Sequence, residues 1–364
     1  MSDGKMNILV LGAGVVGEAV THDLAQDYEV SVGDVSTEKL KKVEDHAETF
    51  VLDIRDEEEV LSKMEKYDVV VGALPGDLGF KTIELAIESG TDIVDVSFMP
   101  KDPLVLDEEA KKKGVTVLVD AGFGPGMSNV FTGRIAEEID DLKNLKIWIG
   151  SLPQEPQHPL YYKLTWSPKD LIEEYTRPAR IIVDGEEKEI DPLENIEKGI
   201  DIKDRTFEGF YSDGLRTLLD TIEVENMDEI TLRWEGHLDR IKVLRELGFF
   251  EEKNLDNTLK VIKDKMCYDS LDFSVMEVEG EGIEGGKEKM IKYHFYDEET
   301  ENFSSIARTT GFSTAVMARL LIDYGLDDGV IPPEELGRDK ETFDYMVNEL
   351  KKRGIQIKEN SSSV

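Results

Sequence analysis

The sequence predicts an α/β protein in two parts: an N-terminal doubly wound parallel sheet, and a mixed α/β domain with a largely antiparallel sheet. Three observations lead there. Apolar strand-like runs alternate with helix-compatible runs from the start of the chain, and the first of these runs breaks directly into a glycine-rich turn. From about Lys143 the texture changes to longer alternating segments separated by turn residues.

The elements follow in order. Met6–Gly17, MNILVLGAGVVG, reads as a strand running into Gly12, Gly14 and Gly17, with a helical segment Glu18–Gln26 behind it. A second strand, Tyr28–Gly33, ends in Asp34; then come a helix Thr37–Glu44, a strand Glu48–Leu52, a helix Glu57–Glu65 and a strand Asp68–Ala73. A helix Lys81–Ser89, a strand Asp92–Val96, a helix Glu108–Lys113 and a sixth strand Val115–Val119 complete the series. These are βαβ units. The glycine-rich exit Asp120–Gly126 suits a domain crossover, so residues 1–124 are expected to form the first domain and 125–304 the second, with C-terminal helices at about 305–357 returning to the first. In the second domain, Leu145–Gly150, Arg180–Val183, Met276–Val278 and Lys292–Tyr296 read as strands, Asp184–Gly185 as a hairpin turn and Glu279–Lys289 as an exposed loop. A helix Gly311–Ile322 is apolar on one face, and the tail after Ile357 is polar and expected to fray.

The strand–glycine turn–helix order is that of a Rossmann dinucleotide site: Gly12 for the tight turn, Gly14 for the approach of a pyrophosphate and Gly17 for close helix packing. Ala13, Val15 and Val16 complete the turn and the helix start, whose free amides face the phosphates. Asp34, 22 positions after Gly12, is placed to accept the adenosine ribose hydroxyls; Val35 follows it without an arginine, so NAD is expected over NADP, whose 2′-phosphate would meet a like charge. Asp53, followed by Ile54, reads equally as an adenine contact or a helix cap. At the carboxyl edge of the sheet, Ala73, Leu74, Pro75, Asp95, Ser97, Asp120 and Gly122 are expected near the nicotinamide.

Composition narrows the class. With 79 acidic against 43 basic residues the net charge is −36, which argues against nucleic acid or an anionic membrane as partner and is compatible with a saline cytosol. The chain opens without a secretory signal and holds no apolar run long enough to span a bilayer, so a cytoplasmic protein is expected. A single cysteine, Cys267, leaves no internal disulfide or cysteine zinc cluster, and no histidine stands at ligand spacing among the acidic runs, so no metal is expected.

Further blocks are specific: GALPG at 72–76, DVSFMP at 95–100, DAGFGPGMSN at 120–129, LYYKLTWSPKDLIEEYTRPAR at 160–180, SDGLRTLL at 212–219, TLRWEGHLDRIKVLRELGF at 231–249 and TGFSTAVMARLL at 310–321. With the glycine turn they resemble the saccharopine dehydrogenase-like family of NAD(P)-dependent enzymes, most closely its lysine 6-dehydrogenase branch. The resemblance implies oxidation of the side-chain amine of L-lysine to 2-aminoadipate semialdehyde, which cyclises. Saccharopine- or carboxynorspermidine-type relatives instead join an amine to a carbonyl reductively; an NAD-sensing module without turnover is the reading from another class. Fungal-type saccharopine reductases carry an Asp before the Pro-Gly of the loop after strand six, where this chain has Gly124.

Amine oxidation needs a proton acceptor and an anchor for the substrate carboxylate. Of five histidines, His22, His46 and His294 read as structural or solvated, whereas His237, in the polar run LRWEGH, reads either as the base or as a cap of helix Leu238–Leu247. Arg233 and Arg216 are the candidate carboxylate anchors, Asp213 a candidate for the ammonium, Tyr161 and Tyr162 pocket walls or core, and Arg177 and Arg180 partners of Glu173 and Glu174. Asp120, Asp213 and the tyrosine pair are the alternative bases, and the sheet of the second domain is the expected homodimer contact.

Overall fold

The structure is a computed structural model that describes residues 5–363. The chain divides into two compact units, Met1–Arg134 with Ala307–Gly354, and Ile135–Ile306 with Ile355–Val364.

The first unit is built on a parallel sheet of β1 (Asn7–Leu11), β2 (Glu29–Asp34), β3 (Glu48–Val51), β4 (Val69–Gly72), β5 (Asp92–Asp95), β6 (Thr116–Leu118) and the late strand β15 (Gly329–Ile331), in the order β15-β6-β5-β4-β1-β2-β3. Ile8, Leu9, Val10, Val70 and Val71 are fully buried, as expected where helices cover both faces and strands read as continuous apolar runs. Strand order reverses between β1 and β4, the switch point at whose carboxyl edge such sheets bind ligands. The first helix spans Val15–Leu24, not Glu18–Gln26: the glycine turn feeds it directly, and the Glu18 amide already donates to the Gly14 carbonyl at 2.8 Å. The helix Ser305–Tyr324 is longer at both ends than Gly311–Ile322. It packs on the first helix, where Gly311 leaves no room for a Cβ against Ala19. Buried Asp23 ties the segment down through Arg319 at 3.0 Å and Arg353 at 2.9 Å.

The second unit holds β7 (Asp141–Pro153), β8 (Ala179–Val183), β9 (Glu186–Ile190), β10 (Glu197–Ile202), β11 (Arg205–Tyr211), β12 (Asn226–Trp234), β13 (Asp272–Glu284), β14 (Lys287–Glu298) and β16 (Gln356–Ser363). The main path is β10-β11-β12-β7-β13-β14-β16, antiparallel except for the parallel pair β12/β7, with β8 on β12 and β9 on β8. Asp184 and Gly185, at φ +54° and +76°, make the β8–β9 turn. Two expectations are corrected. Glu279–Lys289 is not an exposed loop: β13 and β14 pair through it to a turn at Gly285–Gly286, its alternating charges lying on the solvated side. The tail does not fray, because β16 adds to the edge of the sheet beside β14, where ladder hydrogen bonds order a polar segment without an apolar core of its own.

Among the described residues no helix is long and apolar enough to cross a membrane, and no cluster of His, Cys, Asp and Glu is arranged to hold a metal ion.

Candidate functional site

In the first unit the glycine turn builds a cradle. Gly12 sits at φ +104°, where a Cβ would stand 2.3 Å from the Ala73 carbonyl oxygen, and a Cβ on Gly17 would stand 1.9 Å from the Gly12 oxygen. Both positions therefore exclude any side chain. Gly14, at the helix N-cap, has open space where its Cβ would be, beside the amides of Val15 and Val16. Asp34, 6% exposed, closes the turn from β2: its Oδ2 accepts the Ala13 amide at 2.8 Å and its Oδ1 the Ser36 amide at 2.7 Å. Lys39 lies 3.8 Å from the same carboxylate and Val35 is exposed. Asp53 caps no helix, since Asp56 does so; it forms a two-pronged pair with Arg55, whose hydrogen bonds hold its carboxyl below the usual range, next to buried Ile54.

Across the switch point, Ala73 and Leu74 lead through Pro75 into the helix Gly76–Ser89. Asp95 is fully buried and its Oδ1 accepts the Ser97 amide at 2.8 Å. The Ser97 hydroxyl is buried with no hydrogen-bond partner among the described residues. Asp120, 1% exposed, adopts φ +49° and its carbonyl accepts the Gly122 amide at 2.8 Å. An open cradle at a helix N-terminus, an acidic strand end and an orphaned buried hydroxyl at the carboxyl edge fit a bound dinucleotide.

In the second unit, strand alternation puts Glu229, Thr231 and Arg233 of β12 on one face. Arg233 is 2% exposed and its guanidinium is engaged on three sides: Nε donates to the Tyr175 hydroxyl at 2.9 Å, one terminal nitrogen to the Leu232 carbonyl at 2.9 Å, and the other to Glu174 at 2.7 Å. Its charge lies 4.6 Å from the centre of the Tyr162 ring. Burial weakens the guanidinium, but the surrounding phenols and Glu174 outweigh this and hold it protonated, while burial pushes the Glu174 carboxyl up.

His237 completes the network. It is fully buried, with Nε2 2.9 Å from the Tyr175 hydroxyl and Nδ1 2.6 Å from the Leu160 carbonyl. A carbonyl only accepts, so Nδ1 carries the proton and Nε2 accepts from Tyr175. Burial and Arg233 push the imidazole down to about 3. Nor does His237 cap its helix: His237–Glu246 begins with that residue, and Glu208 of β11 accepts the Leu238 amide at 2.6 Å. The cap reading of His237 is therefore corrected, and both His237 and Arg233 are engaged with groups of the fold. Arg233 makes three hydrogen bonds and His237 two inside the fold. Tyr162 is buried core, its hydroxyl accepting the Trp166 indole at 3.1 Å, whereas Tyr161 stands at φ +56° with its ring 4.6 Å from the Arg240 guanidinium.

Beside this network the loop Ser212–Arg216 brings two candidates together. Asp213 pairs with Arg180 at 2.8 Å and Arg177 at 3.4 Å; Arg180, on β8, thus takes Asp213 in place of the expected Glu173 and Glu174, whereas Arg177 also feels both of those acids. Arg216, 6% exposed, adopts φ +54° two residues after Gly214. Sequence reasoning missed Glu174, Tyr175 and Glu229; for Glu229 the signal was present, an acid two positions before Thr231 on a strand whose odd positions face inward.

Two family models match the chain, one described as the saccharopine dehydrogenase NADP binding domain over residues 8–118 and one as the saccharopine dehydrogenase C-terminal domain over residues 122–355. A saccharopine dehydrogenase [NADP(+), L-glutamate-forming] of Pyricularia oryzae is 24% identical over 264 residues, covering 68% of this chain and 58% of its own length. A carboxyaminopropylagmatine dehydrogenase of Synechocystis is 22% identical over 265 residues, covering 66% of each. The chain thus spans little more than half of the fungal relative. The apo saccharopine dehydrogenase (L-Glu forming) of Saccharomyces cerevisiae superposes with a TM-score of 0.82 over 98% of this chain and all of the other at 20% identity, which shows a shared fold.

Proposed function

The chain belongs to the saccharopine dehydrogenase family, and from that premise we propose that it oxidises the side-chain amine of L-lysine, or of a similar amino acid, with NAD as acceptor. When bound, the nicotinamide accepts a hydride from the carbon that bears the amine. Gly12, Gly14 and Gly17 admit the pyrophosphate, Asp34 takes the adenosine ribose, and the strand ends at Ala73–Pro75, Asp95, Ser97 and Gly122 line the nicotinamide side. Asp34 is also the reason for NAD: a 2′-phosphate beside a buried carboxylate is repelled, and Lys39 offsets this only in part.

The substrate loses a hydride from carbon and a proton from nitrogen. Asp120, buried at the carboxyl edge of β6 in a sparsely populated backbone conformation, takes the proton; water then releases ammonia from the imine, and the aldehyde closes on the remaining amine. Within the second unit, Arg216 is the candidate for an α-carboxylate and Asp213, fixed by Arg177 and Arg180, the candidate for an ammonium. Arg233, Tyr175 and His237 tie β12 to the end of the helix Pro168–Glu174 and to the helix His237–Glu246 within the same unit.

The observation that carries the choice of substrate is the charge beside the Ser212–Arg216 loop. Asp213, an anion held by Arg180 and Arg177, and the cation Arg216 stand on one loop, the pair of charges that the ammonium and carboxylate of an amino acid call for. A screen of NADH formation over L-lysine, ornithine and saccharopine tests this. Turnover is expected with lysine. Turnover confined to saccharopine, or NADH consumption only when a 2-oxo acid and an amine are supplied together, selects reductive condensation instead; cofactor binding without turnover of any amine selects the sensor.

A further inference from the structure

Glu229 is a buried carboxyl that the chemistry above leaves without a role. It is 3% exposed on β12. Its Oε1 accepts the Ser212 hydroxyl at 2.8 Å, the Thr231 hydroxyl donates to Ser212 Oγ at 2.7 Å, and the Ser212 amide donates to the Glu229 carbonyl at 3.1 Å. Oε2 has no hydrogen-bond partner among the described residues. The loop presses directly on this group: a Cβ on Gly214 would stand 1.8 Å from Oε1 and 2.5 Å from Oε2, so only glycine lets the chain close over the carboxyl.

The charged groups that face it come from every neighbouring element. Glu174 lies on the helix Pro168–Glu174, Asp213 on the loop and Asp228 on β12 itself. The cations nearby are held by other acids: Arg233 by Glu174, Arg177 and Arg180 by Asp213, and Lys146 of β7 by Glu197 at 2.8 Å and Asp228 at 3.7 Å. Arg216 stands at the far end of the loop. Burial first, then these like charges, push the Glu229 carboxyl up to about 8.

We infer that Glu229 is the positioning residue of the Ser212–Arg216 loop: its carboxyl holds the Ser212 hydroxyl and leaves room only for glycine at 214, and thereby fixes where Arg216 and Asp213 stand. Ionisation places a charge under the loop on a carboxyl whose printed donor is a hydroxyl and whose other oxygen has no hydrogen-bond partner among the described residues, beside carboxylates already committed to their own cations; this loosens the loop and weakens substrate binding without touching the cofactor cradle. The kinetic consequence rests on Arg216 holding the substrate carboxylate; the closing of the loop does not.

The test pairs kinetics with an activity-independent cycle. Across about two pH units either side of about 8, the KM for L-lysine of the wild type is expected to rise relative to that of Glu229→Gln by roughly tenfold per unit above the transition. The ratio removes the titration of lysine itself, which both enzymes share; kcat and the Kd for NAD are expected to show no such divergence. In infrared difference spectra, a protonated-carboxyl band present in the wild type and lost through the same transition is expected to be missing from Glu229→Gln. In the cycle, Gly214→Ala is expected to lower Tm strongly in the wild type and much less in the Glu229→Ala background, where the clash is gone. Superimposable KM profiles for wild type and Glu229→Gln overturn the positioning role, and so does additivity of Gly214→Ala and Glu229→Ala. If no amino acid is turned over, the role of Arg216 falls, while the infrared band and the cycle still decide whether Glu229 holds the loop.

Discussion

Asp34 accepts the amide of Ala13 at 2.8 Å, so the acid that ends β2 also fastens the glycine turn after β1. In the proposed function, cofactor choice and turn geometry depend on one side chain. Asp34→Ala is expected to weaken NAD binding and to lower the ratio of kcat/KM with NAD to that with NADP by at least about tenfold, roughly 1.4 kcal/mol. Parallel steady-state measurements with both cofactors check this. Equal efficiency of the wild type with NAD and NADP contradicts it.

His237 gives the second prediction. Glutamine in its place leaves the Tyr175 hydroxyl or the Leu160 carbonyl poorly paired, at a cost of roughly 1–3 kcal/mol of stability, while turnover per folded molecule and its pH profile stay close to wild type. The sign of the pH effect follows from the depressed value. In the folded protein the imidazole protonates only near 3, whereas the unfolded chain takes up the proton near the ordinary 6.5. This contribution to stability is present above about 6.5 and is lost as pH falls towards 3, with a slope of at most about 1.4 kcal/mol per pH unit. His237→Gln lacks that slope. A hundredfold loss of turnover with unchanged Tm makes His237 the base after all.

Arg216 and Arg233 separate binding from stability. Arg216→Lys loses two-pronged carboxylate geometry and is expected to raise the KM for the amino acid by about tenfold or more, with the Kd for NAD unaltered. Arg233→Ala strands Glu174 and is expected to cost about 3–5 kcal/mol in unfolding free energy. Denaturant unfolding and steady-state kinetics on both variants decide. The opposite pattern, with Arg233→Ala stable but raised in KM, returns the anchor to Arg233.

The nucleotide half of the molecule was legible because its signals are local. A strand, three glycines and an acid 22 positions after the first of them lie in one short stretch of sequence, and Gly12 and Gly17 each answer to a contact made within the same unit. The second unit was less legible because its partners are distant in sequence. Nothing near Arg233 says that Glu174, 59 residues earlier, will hold it, and nothing near Asp213 announces Arg180, 33 residues away. Nor does anything beside His237 announce that Leu160, 77 residues away, accepts a hydrogen bond from its Nδ1–H. The strand at the C-terminus escaped for a different reason: edge pairing is a property of the neighbour's backbone, and polar residues such as Asn360 and Ser361 carry no period that reveals it.

The most direct measurement uses L-lysine carrying deuterium on the carbon that bears its side-chain amine, incubated with the protein and NAD and followed by proton NMR of the reduced cofactor. The account predicts that deuterium appears at C4 of the nicotinamide, on one face only, together with the cyclised product. Reduced cofactor without deuterium, or none formed until saccharopine replaces lysine, contradicts it.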